Sequence, residues 1–110
     1  MSISTHVLDT SIGRPAARIE VRLEREADGW TEVATATTDA DGRAELIARG
    51  MPMDAGVYRL TFDVAAYFRE QAVDAFYRHI AIEFLVREAA SHHHVPLLLS
   101  RFGYSTYRGS

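Results

Sequence analysis

The feature that most constrains this chain is an apolar period of two residues, repeated in several separate segments. Between Ala17 and Glu26, Ile19, Val21 and Leu23 alternate with Arg18, Glu20, Arg22 and Glu24. Side chains on an extended strand point to opposite faces in turn, so such a segment lays one face on a core and the other in water. From Val57 to Val64, Tyr58, Leu60, Phe62 and Val64 share one face against Arg59, Thr61 and Asp63, and Ile80, Ile82, Phe84 and Val86 repeat the pattern. Further strands are expected at Ile3 to Leu8, Trp30 to Thr37, Arg43 to Ile47, His94 to Leu99 and Ser105 to Tyr107. Between them stand Asp28-Gly29, Asp41-Gly42, Gly50-Met51-Pro52, Ala55-Gly56 and Phe102-Gly103, residues that tolerate positive φ or end pairing. About eight short strands at this spacing predict an all-β fold, an antiparallel β-sandwich. Ala65 to Asp74 breaks the alternation with helix-forming residues and no Gly or Pro, and is expected to form one short helix. With 47% hydrophobic residues and no linker or internal repeat, residues 1–110 are read as a single domain around one core.

Composition narrows the chemistry. A net charge of -3 provides no broad positive field for a phosphate backbone or anionic lipid, so neither nucleic acid nor a membrane is an expected partner. The first residues carry no basic and apolar leader, and no apolar run approaches the roughly 20 residues of a spanning helix, so a cytoplasmic protein is expected. Cysteine is absent, which excludes disulfides, a thiolate nucleophile and thiolate metal sites. Lysine is absent too, which excludes a lysine Schiff base and leaves arginine as the one strong cation. No Gly-x-Ser-x-Gly elbow or phosphate-cradling loop occurs. Asp39-Ala40-Asp41-Gly42 opens like a calcium loop but lacks the later ligands, and is expected to be a hairpin turn.

His6, Arg43 and the run His92-His93-His94 fall in or beside expected strands. Strand geometry places His92 and His94 on one face and His93 on the other. An imidazole takes and gives protons near neutral pH, so these histidines are candidate acid–base groups. Two other readings stay open from the residues alone. A histidine on a half-buried strand is commonly a hydrogen-bonded structural residue, and His92-x-His94 with His6 or His79 offers nitrogen ligands for zinc, although no motif completes the set.

Three stretches carry a resemblance to a known family. They are His6-Val-Leu-Asp-Thr10 with Gly13-Arg-Pro-Ala16, Thr38-Asp-Ala-Asp-Gly-Arg43, and His94-Val-Pro-Leu-Leu-Leu-Ser100 with Gly103-Tyr-Ser-Thr-Tyr-Arg-Gly-Ser110. Together they resemble the 5-hydroxyisourate hydrolases, the transthyretin-related family, over nearly the whole chain. The resemblance implies a transthyretin-like sandwich, no cofactor or metal, and hydrolysis of 5-hydroxyisourate to 2-oxo-4-hydroxy-4-carboxy-5-ureidoimidazoline in urate breakdown. It implies catalytic roles for His6, Arg43, His94 and Ser110, with His6, Arg43, Tyr107 and Arg108 binding substrate. It also implies a homotetramer, a dimer of dimers with pockets in the channel between dimers. Which histidine is the general base stays open, and Ser110 is expected to bring its hydroxyl and free carboxylate to the substrate or a neighbouring histidine. Arg101 departs from the family's usual proline, His93 from a common tyrosine, and Phe76-Tyr77-Arg78-His79 from the usual Phe-Tyr-Pro-Glu. The alternative function is that of transthyretin, a small-ligand carrier without catalysis.

Overall fold

In the computed structural model, which describes residues 2–110, the alternating segments form two facing sheets. The elements run β1 (Ser2–Asp9), β2 (Arg14–Pro15), β3 (Glu20–Glu26), β4 (Trp30–Thr37), β5 (Arg43–Ile47), β6 (Gly56–Asp63), α1 (Val64–Glu70), β7 (His79–Val86), β8 (His92–Leu99) and β9 (Tyr104–Thr106). One sheet has the order β2-β1-β8-β9, with β5 also paired to β1; the other has the order β4-β3-β6-β7. The expected sandwich is present, and its pairs are antiparallel except one. Strands β1 and β8 run parallel in unbroken register from Ser2 opposite His92 to Asp9 opposite Leu99. Alternation reports faces and not direction, so the sequence pattern is silent on this pair.

Ile3 and Val7 of β1 and Leu97 and Leu99 of β8 face Val21, Leu23, Leu60 and Phe62 of the second sheet, all at 0% exposure. Each such side chain contributes about 1.5–3 kcal/mol by leaving water. The inner face also holds Asp9, which has no exposed surface. Its carboxylate accepts from the Tyr67 hydroxyl at 2.8 Å, from the Ser11 amide at 3.0 Å and from the Ser11 hydroxyl. Burial and that carboxylate push the Tyr67 hydroxyl up to about 12. In His6-Val-Leu-Asp9, then, the aspartate is a structural anchor for the helix, three residues along and on the opposite face from the histidine.

Several boundaries differ from those expected. The strand expected from Ala17 starts at Glu20, because Arg18 sits at φ +63° and the Ile19 amide is taken by the Thr38 hydroxyl at 2.9 Å. The helix expected over Ala65 to Asp74 occupies Val64–Glu70: the Asp63 side chain caps its start, and Ala72 at φ +55° turns the chain away after Gln71. Strand β8 begins at His92 because its first two residues pair with Ser2 and Ile3. Strand β9 lies one residue earlier than expected, and the two-residue β2 has no sequence signature. Among the described residues, no helix is long and apolar enough to cross a membrane.

Candidate active site

Alternation along β1 turns Ile3, Thr5 and Val7 inward and Ser4 and His6 outward. On the neighbouring strands His92 and His94 of β8 and Arg43 and Glu45 of β5 share that outer face. Register then sets who meets whom: His6 lies directly across from Arg43, and Ser4 lies beside His94. The result is a concavity of about 520 Å³ whose lining includes Ser2, Ser4, Asp39, Arg43, Glu45, Arg49, His92, His94 and Ser110.

The position of Arg43 follows from the turn that precedes it. Asp39 accepts from the backbone amides of Asp41 at 2.9 Å and Arg43 at 3.0 Å, and the Arg43 amide is the main cause holding its carboxyl below the ordinary 3.8. Gly42, at φ +77°, gives its carbonyl to the Val7 amide at 2.7 Å, and a Cβ there would collide with the Val7 carbonyl oxygen. A glycine is therefore required one residue before Arg43. Asp39 to Gly42 is a tight turn, as expected from the sequence, but not a hairpin: β4 and β5 do not pair, and the turn carries the chain from one sheet to the other.

The imidazole of His94 is half-buried, with Nδ1 2.9 Å from the Ser4 hydroxyl. Burial, then the Arg43 charge, then His6, lower its pKa from the usual 6.5. His6 lies on the same face, and its Nε2–H donates to the Asp41 carbonyl at 2.8 Å. His92 repeats the His94 arrangement one rung away, with Nδ1 2.8 Å from the Ser2 hydroxyl, and the charge of Arg49 is the main cause depressing its pKa. A neutral imidazole beside a guanidinium can take a proton from water while the guanidinium holds an oxyanion.

The concavity thus brings together Arg43, His94 and Ser110, with His6 adjoining through the β1–β5 ladder. Tyr107 and Arg108 lie elsewhere. Tyr107 is exposed and lines a separate hollow of about 230 Å³ at the edge between the sheets, near Ile82 and Phe84. The Arg108 guanidinium borders the same hollow and donates to the His92 carbonyl at 3.1 Å. His93 points inward as alternation requires, 4% exposed and 6.4 Å from the Phe84 ring, its pKa lowered mainly by burial. His79 belongs to the other sheet, 3.9 Å from Asp63. Among the described residues no group of three or more His, Asp or Glu is placed to hold a metal ion. Arg101 donates to the Asp74 carbonyl at 2.7 Å and receives the Phe76 amide on its own carbonyl at 2.8 Å, tying the turn before β9 to the segment after α1. Sequence reasoning passed over Ser2, Ser4, Glu45 and Arg49. The two serines could have been found by counting back in twos from His6; Arg49, beyond the end of β5, carries no such signal.

The HIUase/Transthyretin family profile matches residues 3–109. The chain belongs to the HIUase/Transthyretin family. A relative in this family, 5-hydroxyisourate hydrolase of Salmonella typhimurium, is 44% identical over 109 residues, covering 98% of this chain and 80% of that protein. Among solved structures, Klebsiella pneumoniae 5-hydroxyisourate hydrolase matches with a TM-score of 0.87 at 35% identity, covering 100% of both chains. Transthyretin from Sparus aurata matches with a TM-score of 0.88 at 34% identity, covering 97% of this chain and 95% of that one. Backbone similarity therefore does not separate the two branches of the HIUase/Transthyretin family; the side chains on the outer face must.

Proposed function

We propose that this chain hydrolyses 5-hydroxyisourate, and that the concavity on the outer face of the β1–β8 sheet is where it does so. The observation that carries this reading is the meeting of the His94 imidazole and the Arg43 guanidinium across β1, in a polar hollow next to His6. In the reaction, His94 Nε2 takes a proton from water as the water oxygen attacks the C6 carbonyl. Arg43 stabilises the oxyanion with its planar fork. Collapse of the intermediate breaks the N1–C6 bond, the imidazolium returns its proton to N1, and the new carboxyl group ionises. His6, whose Nε2–H is already engaged by Asp41, binds and orients substrate beside Arg43, with Ser110 contributing at the rim. Tyr107 and Arg108 support the tail from the far side. The carrier function of transthyretin is the second reading, favoured by the backbone match to the Sparus aurata protein. The acid–base and guanidinium groups lining this concavity favour hydrolysis over passive binding.

The sheet walls the concavity from one side only. We place a second copy of the chain across that face, in a tetramer of two dimers; light scattering coupled to size exclusion tests it. A cytoplasmic location belongs to the same proposal and is tested by cell fractionation. The activity is tested by generating 5-hydroxyisourate in place with a urate oxidase and following loss of its ultraviolet absorbance. Decay no faster than the uncatalysed rate would remove the hydrolase reading.

A further inference from the structure

We infer that Ser4 and Gly109 are positioning residues for the His94 imidazole, holding its two edges so that Nε2 alone faces the concavity. This deepens the hydrolase reading and rests on it for its kinetic part. The Ser4 hydroxyl sits 2.9 Å from His94 Nδ1, fixed there by the parallel register that sets Ser4 beside His94. On the other edge, Gly109 bridges to His94 and donates its amide to the His94 carbonyl at 2.7 Å. A Cβ on Gly109 would lie 2.5 Å from His94 Cδ2, 3.3 Å from Cγ and 3.3 Å from Pro96 Cγ. The tail therefore passes so close to the ring that only glycine fits, although nothing about its backbone angles demands one.

The chemistry assigns the proton as well. A general base must present a bare Nε2, so the neutral ring carries its proton on Nδ1, and Ser4 accepts it. When Nε2 becomes protonated, Nδ1–H still donates to the same hydroxyl, so the ring need not turn during the cycle. Ser4 is uncharged, unlike the carboxylate that often orients a catalytic histidine. It fixes the ring without favouring the imidazolium, in keeping with the lowered pKa of His94.

The test combines NMR and kinetics on full-length Ser4→Ala, Ser4→Thr and Gly109→Ala. Wild-type His94 should show the Nδ1–H tautomer in ¹⁵N spectra; Ser4→Ala should mix the tautomers, and Ser4→Thr should restore one. Relieving the Cβ contact in Gly109→Ala requires a ring shift of about 1 Å, which should lower kcat about 10²-fold with KM nearly unchanged. Ser4→Ala should lower kcat about 10-fold, with Ser4→Thr recovering most of it. An Nε2–H tautomer in the wild type, or full kcat in a folded Gly109→Ala, overturns the inference. If Gly109→Ala does not fold, the Ser4 tautomer measurement decides alone. Since that spectrum needs no substrate, wild-type inactivity toward 5-hydroxyisourate would defeat the hydrolase reading and the kinetic part with it, while the tautomer measurement would still decide whether Ser4 holds the ring.

Discussion

Replacing Arg43 by glutamine tests the site most directly, because Arg43 is joined to the other groups in two ways. It offers the oxyanion contact, and its charge is the second cause, after burial, of the lowered His94 pKa. Losing one oxyanion donor from a closed site costs about 10²–10³ in kcat, or about 2.7–4 kcal/mol. The lower bound, about 10²-fold, is the smallest loss consistent with an oxyanion role for Arg43. The pH dependence follows from the sign of the charge. A general base works unprotonated, so the acid limb of wild-type kcat/KM should lie below 6.5, the ordinary imidazole value. Without Arg43 one opposing positive charge is gone, so the limb should move up towards that value and stop short of it, since burial remains. The assay is the absorbance decay of freshly generated 5-hydroxyisourate, corrected for its uncatalysed loss, across a pH series. A folded variant keeping more than about a tenth of wild-type turnover would contradict the oxyanion role. An acid limb that moved down, or did not move, would contradict the electrostatic coupling between Arg43 and His94.

Three further outcomes are expected. Thr38→Val should leave the buried Ile19 amide and Ala16 carbonyl without the hydroxyl that serves both, at 2.9 and 2.8 Å. That costs about 2–6 kcal/mol, visible in calorimetry as a Tm lower by about 10 °C or more. His93→Tyr should flatten the acid side of the stability profile. A buried imidazole with a lowered pKa refuses a proton that the unfolded chain binds below about 6.5, so stability falls as pH drops through that value. His92 and His94 retain part of the slope, and Tm at pH 7.5 and 5 in both proteins measures the difference. Chelator treatment should leave turnover unchanged, because the imidazoles themselves move the proton; loss restored specifically by zinc would favour a metal role for His6, His92 and His94 instead.

Much of this was legible in the chain because a half-buried strand writes its faces into the order of residues. Val21 and Leu23 on β3, and Leu60 and Phe62 on β6, are buried where alternation placed them, and His93 is separated from His92 and His94 as predicted. Arg43 and His94 were legible as candidates, but their meeting depends on the pairing of three strands distant in sequence, which no local pattern records. The ends of elements were harder. Arg18 and Ala72 take positive φ without being glycine, so they ended or delayed elements with no visible punctuation. Tyr107 and Arg108 are contiguous with Gly109, yet the chain leaves β9 and crosses the sheet edge there, so adjacency in the motif did not mean adjacency in the concavity.

Because the two Ser–His rungs join residues 90 positions apart, the site also has a history in time. Contacts this distant in sequence form only after a long loop has closed, and topologies dominated by them fold slowly. During synthesis β1 can pair with β5 early, but its other edge, beside Ser4 and His6, stays unpaired until β8 has emerged. No fragment lacking the last strands can assemble the hollow, however well its remaining sheet holds together. Recovery of turnover after dilution from denaturant should therefore lag behind recovery of strand signal in circular dichroism, making catalysis a reporter of the last step of folding.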